Sequence, residues 1–202
     1  NKVVALATGA ANGGSGLYGV YISEDQGANW EFKCCGPQPG GPASSTNINT
    51  MAWSDTGTDD GGQYYYDVAL AVNPLDANTI HIAGVQHWIS TDGGDTFTCP
   101  AKWSHPDKDE YIHADIHDMR YFGNDLWVAC DGGVFYSNNA GDSFDKKMYG
   151  ISGTDFWGFG AGFSDGEVML GGTYHNGTLI KDHEVYEGGW LCAEGGDNYR
   201  GF

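Results

Sequence analysis

The sequence predicts an all-β fold assembled from repeated antiparallel units, and two observations carry that expectation. The first is a short pattern that recurs as Ser23-Glu-Asp25-Gln-Gly27-Ala-Asn-Trp30, Ser90-Thr-Asp92-Gly-Gly94-Asp-Thr96-Phe97 and Ser137-Asn-Asn139-Ala-Gly141-Asp-Ser143-Phe144. Each copy reads S-x-[D/N]-x-G-x-x-[W/F], the chemistry of a tight turn. Asp or Asn accepts local backbone N–H bonds, Gly takes a positive φ, and the aromatic anchors the departing strand. The second is composition: 33 glycines in 202 residues and 14% aromatics, with few helix-forming stretches. A supersecondary unit repeated over tens of residues between strand-like runs marks a modular array.

The elements follow in order. Lys2 to Thr8 and Leu17 to Ser23 are apolar, β-rich runs leading into the first turn, so residues 1–33 are expected to form part of a unit. Residues 34–63 contain Cys-Cys-Gly-Pro-Gln-Pro-Gly-Gly-Pro and an acidic Gly-rich stretch, the composition of a long inserted loop. That loop explains why the first two turns lie 67 residues apart and the next two 47. Residues 64–99, 112–146 and 151–182 read as three further units, the last without its turn motif. Residues 188–202 read as the opening of another.

The repeated turn resembles the Asp-box, or BNR repeat, of secreted β-propellers, a superfamily of sialidases, xyloglucan-cleaving glycosidases and sortilin-type receptor domains. The likeness extends along Tyr66 to Gly84, which reads strand, Asn-Pro-x-Asp turn, strand. It also covers His113-Ala-Asp115-Ile-His117 through Asp131-Gly-Gly133, and Gly171 to Thr178. It implies a β-propeller of four-stranded antiparallel blades, of which these residues supply an incomplete set, with the remaining blades expected in a larger chain. A fold shared by hydrolases, receptors and assembly factors does not choose an activity.

Charge narrows the partners. With 27 acidic against 9 basic residues the net charge is −18, which repels phosphate backbones and anionic membranes, so nucleic acid is excluded as a partner. No apolar run approaches the roughly 20 residues of a membrane span. The five cysteines fit no zinc-binding spacing. Cys34 or Cys35 and Cys99 follow equivalent strands of neighbouring units, so a disulfide is expected between them, with an extracellular, cell-surface or periplasmic location. Cys130 and Cys192 are expected as buried thiols, and Trp30, Phe97, Trp127 and Phe144 as core.

Candidate chemistry gathers at the first strand of each unit. Asp67 lies 23 residues before Ser90 and Asp115 lies 22 before Ser137, while Asp155 holds the matching place before the turn near His175. Radial symmetry would bring these carboxylates around one axis, as the catalytic groups of a glycoside hydrolase or as caps of incoming loops. His113, Asp115 and His117 alternate, so on an extended strand all three share a face and can offer imidazole and carboxylate to a transition metal. A ring of such carboxylates suits calcium as the other divalent cation, and no further cofactor is implied. Trp53, Trp88, Trp103, Trp157 and His175 lie near loops or strand ends, where flat rings can stack on sugar or anchor a protein. A sialidase is disfavoured, because gripping the sialic carboxylate takes clustered arginines and the chain has only Arg120 and Arg200. The sequence thus leads to recognition of a polysaccharide or protein ligand, with a glycoside hydrolase as the alternative and enzymatic activity left open.

Overall fold

The computed structural model describes residues 2–9, 16–35, 48–59, 61–151, 153–174 and 176–196. Every regular element among them is a strand. The chain divides into two units, Asn1–Tyr149 and Gly150–Phe202.

In the first unit, β1 (Val3–Thr8), β2 (Leu17–Ser23) and β3 (Glu31–Cys34) form one antiparallel meander. A second consists of β4 (Ala69–Val72), β5 (Ile80–Ala83) and β6 (His87–Ser90), with an Ile89–Thr98 bridge standing where a fourth strand would be. A third is complete, with β7 (Ile116–Phe122), β8 (Asp125–Cys130), β9 (Gly133–Ser137) and β10 (Asp145–Lys146). These are the meandering blades of a propeller, and the first strands of the second and third, β4 and β7, lie side by side.

Alternation within the second blade builds both cores. Ile80 and Ile82 of β5 pack with Leu17, Val20, Ile22, Met51, Trp88 and Phe97, toward the first blade. Ala69, Ala71 and Ala83 face the other way, where their small side chains leave room for Met119, Leu126 and Phe135 of the third blade. Fully burying a side chain such as Ile80 or Leu126 contributes about 1.5–3 kcal/mol.

The three turns share one hydrogen-bond plan. Ser23 Oγ donates to Asp25 at 2.7 Å and accepts from Gly27 N–H at 2.8 Å, and Asp25 accepts from Asn29 N–H at 2.8 Å. Ser90, Asp92, Gly94 and Thr96 repeat it at 2.8, 2.9 and 3.0 Å. Ser137, Asn139, Gly141 and Ser143 repeat it at 2.8, 2.9 and 3.1 Å. The glycine is required because its φ lies between +91° and +95° in all three copies, where a Cβ is strained.

The second unit holds β11 (Phe156–Ala161), β12 (Met169–Thr173), β13 (Gly177–Lys181) and β14 (Trp190–Glu194) in sequential antiparallel order. Trp190–Glu194, expected to open a further blade, instead pairs with β13 as the fourth strand of the same sheet.

Several expectations change on folding. The disulfide joins Cys34 to Cys35, and Cys99 is a free thiol that contacts Gln86 and the Ala101 carbonyl. Cys130 is half-buried and Cys192 exposed, because every residue of β14 is solvent-facing. Trp30 is 46% exposed, since it stands just before β3 and covers Gly27 of its own turn rather than entering the core. Trp127 is half-buried, edge-on to Tyr136 at 5.0 Å. Phe97 is buried, and Phe144 packs partly buried against the second core cluster.

Candidate functional site

The chain enters β4 and β7 through two short approaches that meet. Asp67 lies two residues before β4 and Asp115 one before β7, and the backbones are tied where Ile116 N–H donates to the Gly84 carbonyl at 2.9 Å. One amide joins the two carboxyls: Gln63 Nε2 donates to Asp67 Oδ2 at 3.0 Å and to Asp115 Oδ1 at 2.9 Å. Asp67 is 1% exposed, and its Oδ1 is buried without a partner. Burial pushes its carboxyl up to about 7, and the charge and hydrogen bond of Asp115 add to that rise. The Gln63 hydrogen bond and the His117 charge oppose it.

A second set of bonds adjoins the first. Tyr66 OH donates to Asp131 Oδ2 at 2.8 Å, His117 Nε2 meets Asp131 Oδ1 at 2.6 Å, and His117 Nδ1 meets the Tyr66 carbonyl at 3.2 Å. Both ring nitrogens of His117 therefore face acceptors. Asp131 N–H in turn donates to the Asp115 carbonyl at 3.1 Å. The segment 63–67 is thus held to the start of β7 and to the β8–β9 turn by side chain and backbone alike.

Loops at this end of the blades carry flat apolar groups. Trp53, Tyr65 and Trp103 are 57%, 78% and 47% exposed. The Trp53 loop is pinned by Asp59, which accepts from Trp53, Ser54 and Gly61 N–H at 3.3, 2.9 and 2.8 Å. It is fastened to its neighbours by Gln86 Nε2, which donates to the Trp53 carbonyl at 2.9 Å, and by an Asp55–Lys102 ion pair at 2.6 Å. That ion pair ties the Trp53 loop to the loop bearing Trp103.

The expected metal set does not assemble. Asp115 adopts a φ of +61°, outside extended geometry, so the alternation that would align His113, Asp115 and His117 is broken before β7 begins. His113 turns its Nδ1 to the Ala114 carbonyl and packs over Gly132, where a Cβ would lie 2.3 Å from the His113 Cβ. His117 turns to Asp131. No group of three or more His, Cys, Asp or Glu able to hold a metal occurs among the described residues.

Trp88 is 2% exposed and belongs to the first core cluster, so it offers no face to a ligand. Trp157, in the second unit, stacks on Tyr174 with ring centroids 4.7 Å apart. Asp155 is exposed one residue before β11, the same place relative to its strand as Asp115, and its carbonyl accepts from Tyr174 N–H. His175 lies outside the described residues. Gln63, Tyr66 and Asp131 complete the cluster without having been singled out, because what recruits them is contact between blades, which spacing along one chain does not display.

A separate polar array lies buried between the second and third blades. His81 Nδ1 meets His87 Nε2 at 2.9 Å and His81 Nε2 meets Tyr121 OH at 2.7 Å. Burial drives the His81 imidazole down to about 4 and holds His87 well below the ordinary histidine range, with the neighbouring His81 adding to it.

No protein-family model matches the chain, and no curated protein matches it. Among solved structures it is similar to an ancestral GH74 enzyme, at 17% identity and a TM-score of 0.38, covering 89% of this chain and 22% of that one. It is also similar to the GH74 enzyme of Niastella koreensis, at 16% identity and a TM-score of 0.37, covering 96% and 30%. A third likeness is to the extracellular domain of a putative one component system of B. thetaiotaomicron, at 14% identity and a TM-score of 0.35, covering 97% and 30%. The chain spans between 22% and 30% of the length of these three structures. Likeness at this level carries no activity or ligand across, and the fold rests on the sheets themselves.

Proposed function

We propose that this chain is a propeller recognition module of the Asp-box type, binding a glycan or protein ligand through the aromatic rim of Trp53, Tyr65 and Trp103 beside the Asp67–Asp115 cluster. The observation that supports it is the exposure of three aromatic side chains on loops that are cross-tied rather than loose. Flat rings on fixed loops stack on the apolar faces of sugars or fill pockets of a protein partner with little ordering cost. An extracellular, cell-surface or periplasmic setting agrees with the Cys34–Cys35 disulfide. No helix among the described residues is long and apolar enough to cross a membrane.

Glycoside hydrolysis is the second reading, favoured by a carboxyl pushed up to about 7 beside another carboxylate, the pairing that supplies an acid near neutral pH. Two oxygens that share the Gln63 amide lie within about 6 Å of each other, too close for an inverting pair and its water but within the range of a retaining pair, so it is burial that stands against the reading. Asp67 is buried, so no scissile bond reaches it as the site stands.

Affinity electrophoresis through gels containing soluble neutral polysaccharides tests the choice. The module should be retarded by at least one of them and freed by the double change Trp53→Ala and Trp103→Ala, with no reducing ends released. Release of reducing ends that stops in Asp115→Asn would establish the hydrolase. Absence of retardation in every gel would remove the glycan half of the reading.

A further inference from the structure

We infer that Asn176 is an acceptor for N-linked glycan, so that an exported chain carries one oligosaccharide at the tip of the β12–β13 hairpin. Its occurrence in the cell rests on the extracellular setting proposed above; the capacity to accept the glycan belongs to the chain itself.

Asn176-Gly177-Thr178 is the one N-x-[ST] sequence in the 202 residues. Such a sequence is an acceptor when the residue after asparagine is not proline and the asparagine lies on the surface. The Thr178 hydroxyl is read on the unfolded chain during export, so what the fold must supply is room for the product at Asn176. It does: Asn176 is exposed, while Gly177 is buried and Thr178 partly buried.

The fold accounts for the backbone here and for the glycine, but not for the amide. Asn176 bridges to Gly196, and its carbonyl accepts from the Cys192 thiol at 3.3 Å, both contacts that any residue would make. Gly177 is required, since its φ is +72° and an added Cβ would run into the Glu194 carbonyl. An asparagine before glycine has a competing fate, in which the glycine nitrogen attacks the side-chain carbonyl, closes a succinimide and expels the amide as ammonia. That nitrogen is engaged: Gly177 N–H donates to the Gly196 carbonyl at 2.7 Å, and the Gly177 carbonyl accepts from the Thr173 hydroxyl at 2.8 Å. The backbone network thus holds the nucleophile of the competing reaction and leaves the side chain in solvent.

In the transfer, Asn176 Nδ2 attacks the anomeric carbon of an oligosaccharide carried on a lipid pyrophosphate. The carbon–nitrogen bond forms as the carbon–oxygen bond to the pyrophosphate breaks. The lipid pyrophosphate leaves with that electron pair, and Nδ2 gives up one proton.

Register places the sugar. Thr173 pairs with both Gly177 and Phe156, so the hairpin tip stands at the end of the sheet where β11 begins. Asp155 lies there, its carbonyl accepting from Tyr174 N–H at 3.2 Å, and so does the Trp157–Tyr174 stack. The corresponding tips of the second and third blades are tied to the approach to β7, Gly84 by its carbonyl to Ile116 N–H and Asp131 by its N–H to the Asp115 carbonyl. A glycan at Asn176 therefore rises from the end of its own sheet that bears Asp155 and Trp157.

Secretion of the full chain from a eukaryotic cell, behind an added export signal, tests the assignment by intact mass and peptide mapping. The chain should gain the mass of one oligosaccharide and lose it to peptide N-glycosidase, which in heavy-oxygen water should leave its label at Asn176 and nowhere else. Asn176→Gln and Thr178→Ala should abolish the gain, and Thr178→Ser should keep it. A chain secreted without sugar, or one whose sugar persists in Asn176→Gln, would overturn the proposal; so would conversion of Asn176 to the acid before any enzyme is added. If the variants are not secreted, the glycopeptide map of the wild-type chain decides alone. The measurement involves no ligand and supplies its own export, so a rim that binds no polysaccharide would defeat the recognition reading while leaving the acceptor site standing.

Discussion

Replacing Ser90 with alanine should unseat the turn between the first two blades, and its cost can be worked from the contacts. Ser90 is 1% exposed; its hydroxyl donates to Asp92 Oδ1 at 2.8 Å and accepts the buried Gly94 N–H at 2.9 Å. Alanine leaves that N–H without an acceptor, which costs about 1–3 kcal/mol. The lost bond to a carboxylate adds about 1 kcal/mol, reduced from the usual charge-assisted value because Asp92 is exposed and keeps its bonds to Thr96. The expected loss is therefore about 2–4 kcal/mol. Gly94 stands over Ile22 and Ile80, so a displaced turn also loosens the first core cluster. Urea denaturation followed by tryptophan fluorescence reads this, since five of the seven tryptophans lie in the first unit. The midpoint should fall by about 1 M with unchanged slope, the slope being on the order of 3 kcal/mol/M for a unit this size. Ser104→Ala, which removes an exposed hydroxyl bonded to His105, is the control and should shift it little. A Ser90→Ala loss under about 0.5 kcal/mol, or one matching the control, would refute the account of the turn as a structural staple.

The remaining predictions concern ionisation and thiols. Because the folded His81 titrates near 4 against about 6.5 for a free histidine, its contribution to stability is present above pH 6.5 and is lost as pH falls toward 4; the shift corresponds to about 3 kcal/mol. Urea midpoints at pH 7, 5.5 and 4.5 should fall accordingly, and His81→Gln should flatten the dependence; a midpoint constant with pH would contradict the buried neutral pair. Asp67 has the opposite sign: its raised carboxyl favours folding most fully below pH 3.8 and loses that contribution as pH rises through about 7. Burial pushes the Cys99 and Cys130 thiols up to about 12 while Cys192 is exposed, so iodoacetamide at pH 8 should add one label per folded chain, at Cys192. Labelling of Cys99 under native conditions would show that its site is open.

The fold was legible because its signals are local. Turn chemistry, the φ of one glycine and the alternation of β4 and β5 all act within a few residues, and each survives in the folded chain as a repeated set of bonds. The two carboxylates at the starts of β4 and β7 were also visible, because the turn motifs supply a common origin from which to count. Spacing failed where a single residue left its regular conformation. The +61° φ of Asp115 dissolves the strand-borne metal triad, and Trp88, grouped by its place near a strand end with aromatics open to a ligand, sends its indole into the core. The disulfide was missed for a related reason: equivalence of neighbouring strands suggested a bond across blades, whereas Cys34 and Cys35 bond to each other and leave Cys99 to the Gln86 side chain.

Both polar arrays of the first unit lie where the second and third blades meet, and they answer to pH in opposite senses for one physical reason. An interface between blades must be dry to stabilise either, and a dry environment disfavours whichever form of a group is charged. For His81 and His87 that is the protonated form, so acid loosens the contact at Tyr121. For Asp67 it is the ionised form, so alkali loosens the contact at Asp115. The two contacts sit at different points of the same interface, one at β5–β7 and the other where β4 and β7 begin. The two contributions should therefore trade against each other between about pH 4 and about pH 7, that of His81 growing with pH as that of Asp67 falls, so that His81→Gln should leave stability falling as pH rises across this range and Asp67→Asn should leave it rising. A His81→Gln chain that gained tolerance to alkali, or an Asp67→Asn chain that gained tolerance to acid, would show that the two arrays do not act separately on the same blade contact.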